Sequence, residues 1–89
     1  MAGKRTKLEV IKDLLDVLKN NRKVKITHLI YKANLSNNSI KPYLEDLLKK
    51  GLIETCKEND KKFFVISKKG SDFLDEFNKM KILSEAYGL

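Results

Sequence analysis

Tryptophan is missing from this 89-residue chain, and cysteine, histidine and proline each occur once. A single cysteine excludes an internal disulfide framework, and one cysteine with one histidine cannot assemble a structural zinc site unaided. A reducing, cytoplasmic setting is the expectation. No run approaches the roughly 18 apolar residues that a membrane-spanning helix needs. The basic start MAGKRTKLEV is not followed by the apolar stretch of a secretory signal, so a protein neither secreted nor membrane-inserted is expected. Paired carboxylates set for acid–base work, a metal-ligand cluster and a glycine-rich phosphate loop are also missing. These gaps argue against an enzyme and give no sign of a cofactor or a small-molecule effector.

What the chain has is positive charge. Lys and Arg number 19 against 12 Asp and Glu, for a net +7. The excess is uneven: residues 1–70 hold 17 basic and 8 acidic side chains, whereas residues 71–89 hold two and four. A basic body with a mildly acidic tail is the electrostatic footprint of a protein that meets a polyanion. With 42% hydrophobic residues and this length, one small domain over residues 1–89 is expected, burying a modest core.

The apolar periodicity gives the order of elements. TKLEVIKDLLDVLKN places Leu8, Ile11, Leu14, Leu15 and Leu18 on one helical face, with Thr6 three residues before Glu9 in capping-box spacing. Val24 and Ile26 then alternate with lysines in a short extended stretch. Thr27 is the expected cap of a second helix, HLIYKA, whose Leu29, Ile30 and Ala33 face inward. Asn34 suits a left-handed turn. Ser36 caps a third helix ending at Gly51, with Ile40, Leu44, Leu47 and Leu48 inward. Two helices joined by so short a turn form a helix-turn-helix. LIETCK and KFFVIS read as a β-hairpin closed by Asn59 and Asp60. Ser67 caps a last helix over residues 68–87, in which Gly70 implies a close backbone approach.

In YKANLS across the turn, YLEDLLKKGLI along the third helix, and FVISKKGSDFL from the hairpin into the last helix, the chain resembles the archaeal winged helix-turn-helix DNA-binding proteins of the small dimeric Sulfolobus Sso10a type. The resemblance covers about 60 residues in one order. It implies an α+β, mainly helical fold. Residues 1–70 would form the helix-turn-helix and its β-hairpin wing, with the third helix entering the major groove of double-stranded DNA. It also implies a homodimer joined by the last helix as an antiparallel coiled coil. That helix, at 1.5 Å per residue, is close to 30 Å long, and a domain this small buries only its first turns. Phe73 and Leu74 are therefore assigned to the core, and Phe77, Met80, Leu83 and Tyr87 to the partner.

Pro42 falls inside the third helix, where it removes a hydrogen bond to the Asn38 carbonyl at a cost of about 3 kcal/mol. Two outcomes are open: a kink near Pro42, or an irregular turn at 36–39 in which Ser39 becomes the cap and Pro42 falls in the first turn. The outward face carries Asn37, Asn38, Ser39 and Lys41, the candidates for base and phosphate contact. Glu45 and Asp46 would repel phosphate and bound the zone. Lys57, Lys61 and Lys62 on the wing, Lys32 on the second helix, and Lys4, Arg5 and Lys7 on a mobile amino-terminal arm are the supporting candidates. Arg5 and Arg22 are the only arginines, so guanine-reading forks are scarce and phosphate-dominated binding is expected. The resulting expectation is a homodimeric, nucleoid-associated DNA-binding protein, either a transcriptional regulator or a chromatin-like architectural factor. The alternative is a winged-helix module that binds protein and not DNA.

Overall fold

The structure is a computed structural model and describes residues 5–89. Its elements are α1 (Lys7–Asn20), α2 (Ile26–Ala33), α3 (Asn37–Lys49), β1 (Ile53–Glu58), β2 (Lys61–Ile66) and α4 (Lys68–Ala86).

Each boundary has a local cause. Thr6 caps α1 through a complete capping box. Its Oγ1 accepts from the Glu9 N–H at 3.1 Å, and Glu9 Oε1 accepts from the Thr6 N–H at 2.8 Å. Asn34 adopts the left-handed conformation (φ 55°, ψ 52°) that ends α2. Gly51 does the same for α3 at φ 74°. There the Leu52 N–H reaches the Leu47 carbonyl at 2.9 Å and the Gly51 N–H reaches that of Leu48 at 3.1 Å, which is a Schellman motif. Asn59 (φ 53°) and Asp60 (φ 62°) give the two left-handed positions of a two-residue type I′ hairpin turn.

The start of α2 departs from expectation. Thr27 does not cap it; the helix begins at Ile26, behind Lys25, with no side-chain cap bond. The reason is tertiary. Val24 and Phe64 exchange both backbone bonds, at 3.0 and 2.7 Å, so Val24 forms a one-residue third strand beside β2. That bridge holds the chain extended up to Lys25, whose carbonyl then takes the first helical bond, from Leu29 at 3.1 Å.

The core is a single cluster that draws on every element. Leu14, Leu15 and Leu18 of α1 meet Leu29, Ile40, Leu47, Ile53 and Phe64, and α4 adds Leu74. Leu8 departs from expectation too: it is 47% exposed instead of buried. The turn between α3 and β1 is locked to the start of α4. The Ser67 N–H donates to the Leu52 carbonyl at 3.1 Å and its hydroxyl to the Gly51 carbonyl at 2.6 Å. Gly70 lies so close that a Cβ there would stand 2.0 Å from the Leu52 carbonyl oxygen. The close approach expected from the sequence is thus a backbone-on-backbone contact.

Candidate nucleic-acid interface

Ser36, not Ser39, caps α3: its Oγ accepts from the Ser39 N–H at 3.1 Å and donates to Ser39 Oγ at 2.8 Å. Pro42 therefore lies within the helix, six residues past the cap, and neither the Ser39 cap nor the irregular 36–39 turn is observed. Asn38 and Pro42 are both exposed, so the carbonyl left without its helical donor can be hydrated, which lowers the cost of the lost bond. Asn37, Asn38, Ser39 and Lys41 are all exposed around the first turns of α3. Of the first-turn N–H groups there, that of Ser39 is taken by Ser36, and those of Asn37 and Asn38 have no helical acceptor and favour an anion.

The hairpin register sorts the wing. Lys57 stands directly opposite Lys62, and Glu58 opposite Lys61. Because side chains alternate, Lys57 and Lys62 share the sheet face of Phe64, Thr55 and Ile53. Lys62 Nζ lies 5.3 Å from the Phe64 ring centroid, in agreement. Like charges opposite one another destabilise a hairpin in isolation. Two lysines in register at the end of a core-facing side suit an external anion.

Ion pairing separates the cations further. Arg5 Nη1 contacts Asp13 Oδ2 at 2.7 Å and Nη2 donates to the Asn34 carbonyl at 3.2 Å. It is thus tied across α1 and the end of α2, and the mobile-arm reading does not hold for it. Lys7 is the first residue of α1, with Nζ 3.6 Å from Asp46. Lys4 lies outside the described residues. Lys32, Lys41, Lys57, Lys61 and Lys62 are exposed and have no carboxylate partner among the described residues. Asp46, expected to help bound the contact zone, is half-buried and turned to Lys50 at 3.2 Å; that hydrogen bond holds its carboxyl below the usual range. Glu45 alone remains as an exposed negative charge on α3.

Sequence reasoning missed a second basic surface. Lys23, Lys25, Thr27, His28, Tyr31, Lys32 and Phe63 line an open groove of about 640 Å³ between α2 and the back of the hairpin. The alternation of Lys23 and Lys25 about Val24 was the signal, but the strand partner that aligns them with Phe63 is forty residues away in sequence.

The far part of α4 is a different kind of surface. Nothing beyond Leu74 is buried; Phe77 is half-buried, and Met80, Leu83 and Tyr87 are exposed. Leu8, Phe73, Phe77 and Met80 line an apolar groove of about 660 Å³ between the start of α1 and α4. The helix closes on its own Schellman motif at Gly88 (φ 73°), with Leu89 N–H to Ser84 carbonyl at 2.9 Å. Among the described residues, no group of three or more His, Cys, Asp or Glu is placed to hold a metal ion, and no helix is long and apolar enough to cross a membrane.

Comparison with known proteins agrees with this architecture. The model of a family described as winged helix-turn-helix matches residues 4–85. The crystal structure of Sso10a-2, a DNA-binding protein from Sulfolobus solfataricus, superposes with a TM-score of 0.70 at 30% identity, over 94% of this chain and 90% of that one. The homodimeric winged helix-turn-helix DNA-binding domain of Mb0332 from Mycobacterium bovis superposes with a TM-score of 0.64 over 98% and 93% of the two chains. At 16% identity, that second likeness speaks to the fold alone. No curated protein matches the chain.

Proposed function

The chain belongs to the winged helix-turn-helix family, and from that premise we propose that it is a homodimer that binds double-stranded DNA with the start of α3 and the wing, chiefly through phosphates. The observation that carries this reading is the sorting of cations. Lys7, Lys12 and Lys19 of α1 and Lys68 and Lys79 of α4 each contact a neighbouring carboxylate. Lys41 on α3 and Lys57, Lys61 and Lys62 on the wing have no such partner among the described residues and are left for an external anion. Asn37 and Asn38, at the start of α3, are the side chains suited to reading bases.

Arginine usage argues for low sequence preference. Arg5 is occupied by Asp13 and the Asn34 carbonyl, leaving Arg22 as the one other guanidinium in the chain. Guanine-reading forks are thus nearly absent. This favours an architectural role on the nucleoid over an operator-bound regulator. Dimerisation through the distal part of α4 is supported by the apolar groove and by the exposed Met80, Leu83 and Tyr87.

The test is fluorescence anisotropy with a labelled duplex at two salt concentrations, with unrelated DNA as competitor. Each lysine–phosphate contact contributes about 0.9 to the slope of log affinity against log salt. Binding with a steep slope, and competition by unrelated DNA at equal potency, is the expected result. No binding at low salt would remove the DNA reading in favour of a protein-binding module, and a strong preference for one sequence would indicate a regulator.

A further inference from the structure

The two faces of the hairpin each carry lysines over a phenylalanine, and they differ in what surrounds them. On the face of Phe64 the aromatic ring is buried in the core. On the opposite face Phe63 is half-buried at the floor of the α2 groove, with Lys23 Nζ 4.9 Å and Lys25 Nζ 6.0 Å from its ring centroid. Tyr31, on the wall of the same groove, is 80% exposed. Lys25, Lys32 and His28 line the groove with no carboxylate partner among the described residues, and its one paired cation is Lys23, bound to Glu58.

Cations interleaved with accessible aromatic rings in an open trough are what an unpaired nucleic-acid strand needs. Lysines follow the backbone while rings take the faces of bases. A duplex has its base faces stacked internally and cannot use the Tyr31 ring in that way. The groove is also separated by the sheet from the Lys57 and Lys62 pair, since side chains alternate between the two faces. We propose that this groove is a binding site for single-stranded DNA, with Tyr31 as the stacking platform, Phe63 as the apolar floor, and Lys25 and Lys32 as the phosphate contacts. It is a site additional to the duplex surface. A protein that holds both could sit where a duplex opens, engaging the paired and unpaired parts at once.

The test uses the full chain, a labelled oligothymidine of about 12 nucleotides and a labelled duplex of the same length. Tyr31→Ala is suited to it because the side chain is mostly in water and its removal leaves the core intact. The expected result is that Tyr31→Ala lowers oligothymidine affinity about tenfold, moves duplex affinity less than about twofold, and is rescued by Tyr31→Phe, since the ring and not the hydroxyl does the stacking. Lys41→Ala, on the duplex surface, should show the reverse pattern. The proposal is overturned if the wild-type chain fails to bind oligothymidine, or if Tyr31→Ala leaves that binding unchanged. It is also overturned if Tyr31→Ala or Lys41→Ala weakens both ligands equally, because a single shared surface would then account for the binding. Loss of duplex binding alone would count against the duplex reading and leave this one standing.

Discussion

Gly70 is the residue whose identity the structure constrains most tightly. Its helical conformation would accept alanine, but the added methyl carbon would stand 2.0 Å from the Leu52 carbonyl oxygen, a backbone atom fixed by the Ser67 N–H. Neither side can yield without separating α4 from the end of α3. Gly70→Ala should therefore cost about 3 kcal/mol or more, read as a fall in the urea midpoint with the slope unchanged. Lys57 makes the opposite case, a residue that the fold would be better without. It faces Lys62 across the hairpin, and Lys57→Glu turns a repulsive cross-strand pair into an attractive one. The folded state should gain about 0.5 kcal/mol while duplex affinity falls, because a phosphate contact becomes a repulsion. Thermal melting and anisotropy moving in opposite directions would separate the binding role of this lysine from a structural one; a variant that loses both stability and affinity would contradict it.

At the scale of elements, α3 carries a defect it does not need for folding. Pro42 leaves the Asn38 carbonyl without a helical donor, and Pro42→Ala should restore the bond and raise stability by about 1–3 kcal/mol in a denaturant titration. The cap of α1 gives a pH-dependent counterpart. Hydrogen bonding from the Thr6 N–H lowers the Glu9 pKa from its ordinary 4.5. A carboxyl with a lower pKa folded than unfolded stabilises the fold above that ordinary value and ceases to do so as pH falls through the folded one. The gap in melting temperature between the wild-type chain and Glu9→Ala should be present at neutral pH and shrink well below pH 4.5. Helices, hairpin and caps were legible in the sequence because their causes are local: a capping box six residues into the chain, left-handed Asn34 and Gly51, and a two-residue turn at Asn59 and Asp60. What could not be read depended on distant partners. Thr27 lost the cap to a helix start set by the Val24–Phe64 bridge. Arg5 looked like part of an arm because its partners, Asp13 and Asn34, meet it only in the fold. The Tyr31 groove needed the strand alignment that brings Lys25 over Phe63.

The molecule as a whole is elongated, 48 × 32 × 21 Å, with a radius of gyration of 13.7 Å against about 12 Å for a compact chain of this length. The excess matches a 19-residue α4 whose buried positions end at Leu74. Charge is segregated along the same chain, since residues 71–89 are net negative and the rest is strongly positive. DNA would repel this helix and a second copy would bury its apolar side, so the proposed pairing through α4 would hold the acidic segments away from the duplex and leave both proposed basic surfaces free. Met80 and Leu83 are 63% and 51% exposed, so replacing them disturbs no core contact of the single chain. Met80→Lys combined with Leu83→Lys should give a folded monomer by sedimentation equilibrium, at concentrations where the wild-type chain is a dimer. Losing the second DNA-binding surface should lower duplex affinity by a factor on the order of 10² or more and roughly halve the salt slope, because half the phosphate contacts are gone. A wild-type chain that sediments as a monomer would overturn the homodimer, and a double variant that still sediments as a dimer would place the pairing surface elsewhere than on α4.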